Sequence, residues 1–139
     1  MPRMIFVNLP VADLAAASRF YTAIGCQKND QFSDENAASM VWSDTITFQL
    51  LTRAYFQTFT SMPLADASKA CAAMYALSMD SRADIDATTE AGAAAGGTPD
   101  GRPVMDMGWM YNRQLQDPDG HVLELVWMDM KAMEEQGAA

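Results

Sequence analysis

Glu124 stands in the middle of an alternating apolar run, Val122-Leu123-Glu124-Leu125-Val126-Trp127, directly after the turn sequence Asp117-Pro118-Asp119-Gly120-His121. An ionised carboxylate withdrawn from water must find a cation, a hydrogen-bonding partner or a polar ligand. Three chemistries would use one here: a metal ligand, a general base toward an acidic C–H, or an anchor for a bound organic molecule. The turn has its own logic. Pro118 pre-sets φ for the second turn position, Gly120 gives a permissive backbone, and the two Asp side chains can accept from nearby amides. In the strand, Leu123, Leu125 and Trp127 share one face, which reads as core, and Val122, Glu124 and Val126 share the other. An edge strand with Glu124 in water would satisfy the same pattern.

The remaining chemistry-bearing residues are few. His121 is the one histidine among 139 residues, so neither a two-His-one-carboxylate site nor a multi-His zinc site can be built within one chain. Its place at the strand's solvent end predicts a capping or surface role. Cys26 and Cys71 belong to no C-x-x-C pair; they could form one disulfide, but both are expected to be reduced. A net charge of -9 with no cluster of Lys or Arg repels phosphate backbones and anionic membranes, so nucleic acid and membrane are not expected as partners. No run of 18 apolar residues occurs, and the start Met1-Pro2-Arg3-Met4 lacks a signal-peptide layout; a cytoplasmic location is expected.

The elements that must position these residues follow from periodicity. Residues 4–9 alternate as a strand, with Ile5, Val7 and Leu9 opposed to Met4, Phe6 and Asn8. Asp13 caps a helix in which Leu14, Ala17, Tyr21 and Ile24 recur until Gly25. Extended runs follow at 26–33, 38–43 and 45–52, the first two separated by the polar turn Asp34-Glu35-Asn36. Residues 53–69 carry Tyr55, Phe56 and Phe59 but no clean period, which reads as a connecting loop with short helical pieces packed over something. A strand over 71–79 comes next, then a helix capped by Ser81 and ending at Gly96-Gly97, a weak strand around 97–105, a strand near 108–116 and the last strand. Both halves therefore read β-α-β-β-β, a repeat in the order of elements. The expected organisation is one α+β domain: module one at about 1–53, a connecting loop at 54–70, module two at about 71–128 and a tail at 129–139.

Four stretches resemble the vicinal-oxygen-chelate superfamily, which includes glyoxalase I, bleomycin-resistance proteins, fosfomycin-resistance enzymes and extradiol dioxygenases. They are F-V-N-L-P-V-A-D-L at 6–14, R-F-Y-T-A-I-G at 19–25, A-L-S-M-D-S at 76–81 and D-P-D-G-H-V-L-E-L-V at 117–126. The resemblance implies two βαβββ modules forming a cupped mixed sheet, and a homodimer. It also implies that the positions which hold a divalent cation in metal-dependent relatives fall here on Phe6, Gln49, Met74 and Glu124. Two of these four are apolar. Hard or borderline cations need oxygen or imidazole donors, so no metal and no other cofactor is expected, and metal-dependent catalysis is not expected either.

An apolar cup that keeps a few polar groups is the layout of a small-ligand site. The expected lining is Phe6, Asn8, Gln49, Met74, Gln114 and Glu124, with a small organic molecule as partner and Gln49 and Glu124 as its polar anchors. A cation would suit Glu124, as in the bleomycin-resistance relatives. The alternative is a metal-independent or weakly metal-dependent, glyoxalase-like lyase or isomerase with Glu124 as catalytic base; a third reading is a relic in which Glu124 pairs with Gln49 or Arg113. Trp42, Trp109, Tyr111 and Arg113 are rim residues or, by base rate, packing residues. Met74, Met105, Met107 and Met110 could supply an adaptable wall.

Overall fold

The computed structural model describes residues 2–136. Its first half runs β1 (Ile5–Val11), α1 (Leu14–Ala23), β2 (Gln27–Asn29), β3 (Ala37–Val41) and β4 (Ile46–Thr52), followed by α2 (Arg53–Phe56). Its second half runs β5 (Met74–Ser78), α3 (Arg82–Ala94), β6 (Thr98–Pro99), β7 (Met105–Asp106), β8 (Met110–Gln116), β9 (Val122–Met128) and α4 (Met130–Glu135). The first sheet has the order β1-β4-β3-β2 and the second β5-β9-β8-β6, with β7 added on β8. In each sheet the first and last strands pair in parallel and the rest antiparallel, so the two sheets repeat one topology. The mixed α+β architecture is the one expected.

Local chemistry sets the boundaries. Asp13 accepts from the Ala16 amide at 3.1 Å and starts α1; Gly25, at φ 114°, takes the left-handed turn after it. Ser81 does for α3 what Asp13 does for α1, accepting from the Asp84 amide at 3.0 Å. The ladder of β5 is shorter than the expected 71–79, because residues 71–73 make no strand pairing. The weak strand around 97–105 is two fragments, since Pro99, Gly101 and Pro103 interrupt the ladder. The tail forms α4 from Met130 to Glu135, and residues 137–139 lie outside the described residues.

One core serves both halves. Phe20, Tyr21 and Phe48 from the first, and Leu115, Leu123 and Leu125 from the second, are all fully buried in a single cluster. Each contributes about 1.5–3 kcal/mol of apolar burial. A chain of rings crosses the junction, with Tyr21 and Phe48 centroids 5.1 Å apart and Phe48 edge-on to Tyr75 at 6.4 Å. Gly92 lets α3 lie close on β8, because a Cβ there would sit 2.5 Å from Leu115 Cδ2.

The Asp117–His121 turn does more than reverse the chain. Asp117 is buried; its Oδ1 accepts from the amides of Asp119 and His121, both at 2.9 Å, and its Oδ2 accepts from the Tyr21 hydroxyl at 2.9 Å. Asp119 Oδ1 accepts from the Ala12 amide at 2.8 Å, and His121 Nε2 lies 2.9 Å from the Pro10 carbonyl. One turn of the second half thus clasps β1 and α1 of the first. Burial pushes the Asp117 carboxyl up, and burial together with the Asp117 charge pushes the Tyr21 phenol well above its ordinary value. The expected surface or capping role of His121 is corrected: its ring is half-buried at the junction.

Candidate functional site

Asn8 of β1 lies opposite Gln49 of β4 in the parallel ladder, and strand parity puts both on the sheet face away from α1. The segment after β4 folds over that face. Thr52 Oγ1 accepts from the Tyr55 amide at 3.3 Å to start α2. Thr58 Oγ1 donates to the Tyr55 carbonyl at 2.6 Å, and Gln57 Nε2 donates to the carbonyls of Thr60 and Met62 at 2.8 and 2.9 Å. So fixed, the segment presents Tyr55, Phe56 and Phe59, with Tyr55 and Phe59 edge-to-face at 5.0 Å. Phe32, from the short turn after β2, closes the opposite side. Together they enclose a cavity of about 420 Å³ with Asn8 and Gln49 in its wall. Phe32 and Phe59 keep 63% and 66% of their surface exposed, which marks an apolar rim open to a ligand.

A second cavity, of about 410 Å³, lies at the seam between the two halves. Asn8 and Pro10 line it from β1, Tyr75 from β5, His121 from the clasp and Val122 from β9, and the segment 60–73 covers it. Cys71 also lines it; its thiol is exposed and donates to the Ala73 carbonyl at 3.4 Å. Burial, with the neighbouring Cys71 and Asp117, raises the Tyr75 phenol above its ordinary value. Cys26, in contrast, is buried in the core, and burial pushes its thiol up to about 12. Both cysteines are free thiols, as expected.

Of the other expected site residues, Phe6 lies on β1 of the first sheet, and Met74, Gln114 and Glu124 lie on the second. Glu124 faces Ala76 of β5 and Gln114 of β8 in the ladder. Its carboxylate takes an ion pair with Arg102, Nη2 to Oε2 at 3.1 Å, and only 14% of its side chain is exposed. Gln114 Nε2 reaches Met74 Sδ at 3.7 Å. Phe6 and Met74 are more than half exposed. The structure thus groups Asn8 with Gln49, and Met74, Gln114 and Glu124 with one another, while Phe6, Met74, Gln114 and Glu124 line neither cavity. Near this second face, Arg102 Nε and Asn112 Oδ1 are buried without a partner among the described residues.

A divalent ion does not fit the four family positions. A phenyl ring donates nothing, the Met74 sulfur is soft and touches the Gln114 amide, and the Glu124 carboxylate is engaged by a guanidinium. No group of three or more His, Cys, Asp or Glu side chains is placed to hold a metal among the described residues.

Arg113 and Tyr111 belong to the opposite face of β8. Arg113 pairs with Asp86, Glu90 and Asp100 at 3.1, 3.3 and 2.8 Å, and Tyr111 donates to Asp86 at 2.7 Å. The hydrogen bonds from Arg113 hold the Asp100 carboxyl below its usual range. Arg82 stacks over the rings of Tyr111 and Trp127 at 5.1 and 5.4 Å while it grips Asp106. Trp42 packs against the core. Tyr111, Arg113 and Trp42 are therefore packing residues, and Glu124 pairs with Arg102 instead of Gln49 or Arg113. Sequence reasoning missed Arg102 and Phe32: Phe32 falls in the run 26–33 read as extended but sits in a short turn after β2, Arg102 falls between the two fragments of the weak strand, and a cationic residue 22 positions from Glu124 carries no local signal.

The model of the Glyoxalase/Bleomycin resistance protein/Dioxygenase superfamily matches residues 3–125 of the chain. Among solved structures, a hypothetical protein from S. aureus is 23% identical, with a TM-score of 0.75 over 91% of this chain and 94% of that one. A glyoxalase/bleomycin resistance protein/dioxygenase family enzyme from Burkholderia phytofirmans PsJN is 15% identical, with a TM-score of 0.76 over 91% of this chain and 99% of that one. TnmS3, an antibiotic binding protein from Streptomyces sp. CB03234, is 20% identical, with a TM-score of 0.62 over 92% and 97%. No curated protein matches the sequence.

Proposed function

We propose that this chain, which belongs to the Glyoxalase/Bleomycin resistance protein/Dioxygenase superfamily, binds a small neutral organic molecule in the cup of its first half. The observation that carries the reading is the 420 Å³ cavity in which two amides, Asn8 and Gln49, face four aromatic rings. Such a site matches a planar apolar body that carries one donor–acceptor group, such as an amide or lactam. Among the described residues no Asp, Glu, Lys or Arg lines the cavity, so a charged ligand would lose hydration without a counter-charge. This replaces the cation suggested by the position of Glu124 in the sequence. TnmS3, a structural neighbour named as an antibiotic binding protein, supports a sequestering role. Glu124 as a general base gains no support from a carboxylate held by Arg102 outside both cavities.

The reading is tested with three compounds that share one ring system: 2-naphthamide, 2-naphthoate and 2-naphthylmethylammonium. Calorimetric titration is expected to show binding of the amide alone, and Gln49→Ala to weaken it about tenfold, as one net hydrogen bond warrants. Preference for either ion, or indifference to Gln49→Ala, would sink the proposal.

The chain also acts as a homodimer in this reading. Support comes from the open edge at β1, where Ile5 and Phe6 are 55% and 52% exposed and Met4, just before the strand, is 46% exposed. Light scattering of the eluting protein that gave a monomer mass would remove this part.

A further inference from the structure

We infer that the cup cavity and the seam cavity form one bipartite site for an elongated neutral ligand, its hydrogen-bonding head at Asn8 and Gln49 and an apolar tail running beneath residues 60–73. The inference rests on the proposed function of the cup. Asn8, Phe56 and Thr60 line both cavities, so the two spaces share a wall built of one amide, one ring and one hydroxyl. Each cavity alone, at about 420 and 410 Å³, holds a ligand of modest size; joined, they offer about twice the volume.

The two halves differ in chemistry. The cup has its amides and aromatic rings, which suit a planar head. The seam cavity is walled mainly by aliphatic side chains, among them Leu9, Met62, Leu64 and Val122, which suit a flexible hydrocarbon. Among the described residues no Asp, Glu, Lys or Arg lines the seam cavity either, and the His121 ring there is engaged with the Pro10 carbonyl, so a charged tail would lack a free counter-charge. Asn8 lies in the shared wall, and a substituent on the nitrogen of an amide bound there starts at the junction. Phe56 sits in the single turn of α2, half-buried between the two spaces.

The test uses 2-naphthamide and its N-ethyl, N-butyl and N-hexyl derivatives. Affinity is expected to climb about threefold to fourfold per methylene as the tail enters the seam cavity. Cys71 supplies an independent readout, because it lines only the seam cavity and is exposed, whereas Cys26 is buried. Alkylation of Cys71 by iodoacetamide is expected to slow as the hexyl amide saturates the protein, with the same half-saturation as binding, and to be unaffected by 2-naphthamide itself. A flat affinity series overturns the bipartite site and leaves the cup reading standing. So does a rising series with unprotected Cys71. Failure of 2-naphthamide to bind overturns both.

Discussion

The Tyr21 hydroxyl donates to the Asp117 carboxylate at 2.9 Å across 96 residues of sequence, joining the helix of the first half to the turn of the second. Both partners are buried, Tyr21 fully and Asp117 to 3% exposure. Tyr21→Phe keeps the ring packing against Phe20 and Phe48 but removes one of the donors to a buried carboxylate. A loss of about 1–3 kcal/mol is expected in chemical denaturation, read as a lower midpoint at constant slope. An unchanged midpoint would mean that the clasp adds no net stability.

Gly120 is held in the same clasp at φ 99°, a left-handed conformation that side-chain-bearing residues rarely adopt. A Cβ there would also meet the Ala67 carbonyl oxygen at 2.6 Å and the Ser68 Cα at 2.9 Å. Backbone cannot yield as a flexible side chain can. Gly120→Ala is therefore expected to cost about 1–3 kcal/mol and to push the 60–73 segment off the seam cavity. Urea unfolding checks the first part and the rate of Cys71 alkylation the second; wild-type values for both would contradict it.

How far the sequence carried these conclusions depends on the range of the interactions. Local signals were read correctly: Asp13 and Ser81 cap their helices, Gly25 ends one, and the four residues from Asp117 to Gly120 make the turn. The repeated order of elements appears in the structure as two sheets of matching strand order. The aromatic residues after β4 were expected to cover something, and they cover the cup. What escaped was pairing at a distance. Nothing in the residues around position 102 announces Glu124 as its partner, and nothing in Asp117 or His121 announces Tyr21 and Pro10. In β4, Thr47 and Leu51 are buried along with Phe48 and Leu50, because the 53–60 segment covers one face while α1 covers the other.

Arg82 and Asp106 make a two-pronged ion pair at 2.6 and 2.8 Å that pins β7 beside the rings of Tyr111 and Trp127. The hydrogen bonds from Arg82, then that from the Gly108 amide, hold the Asp106 carboxyl at about 2 instead of the usual 3.8. Because the folded value is the lower one, the stabilisation is present above pH 3.8 and is lost as pH falls toward about 2. The pair is exposed, so salt should weaken it. Thermal melts of the parent and Asp106→Asn are expected to differ at neutral pH and converge across that window. A gap that persists at the acid end would place the effect elsewhere.

Glu124 separates the possible roles of the second sheet most cleanly. If its carboxylate were a metal ligand, Ni²⁺ or Zn²⁺ would raise the melting temperature; the donor set argues for no change. If it were a ligand anchor or a base, Glu124→Gln would abolish binding or turnover. Because it lines neither cavity and is tied to Arg102 at 3.1 Å, Glu124→Gln is expected to leave the affinity for 2-naphthamide within about twofold, below the effect of a lost hydrogen bond. The substitution should instead reduce stability. It leaves the Arg102 guanidinium without its counter-charge, but Arg102 is 39% exposed and water screens it, so the loss is about 1 kcal/mol or less. Titration and denaturation of the same preparation decide the matter: intact binding with a small loss of stability makes Glu124 a positioning partner of Arg102. Lost binding with intact stability would return it to the ligand site.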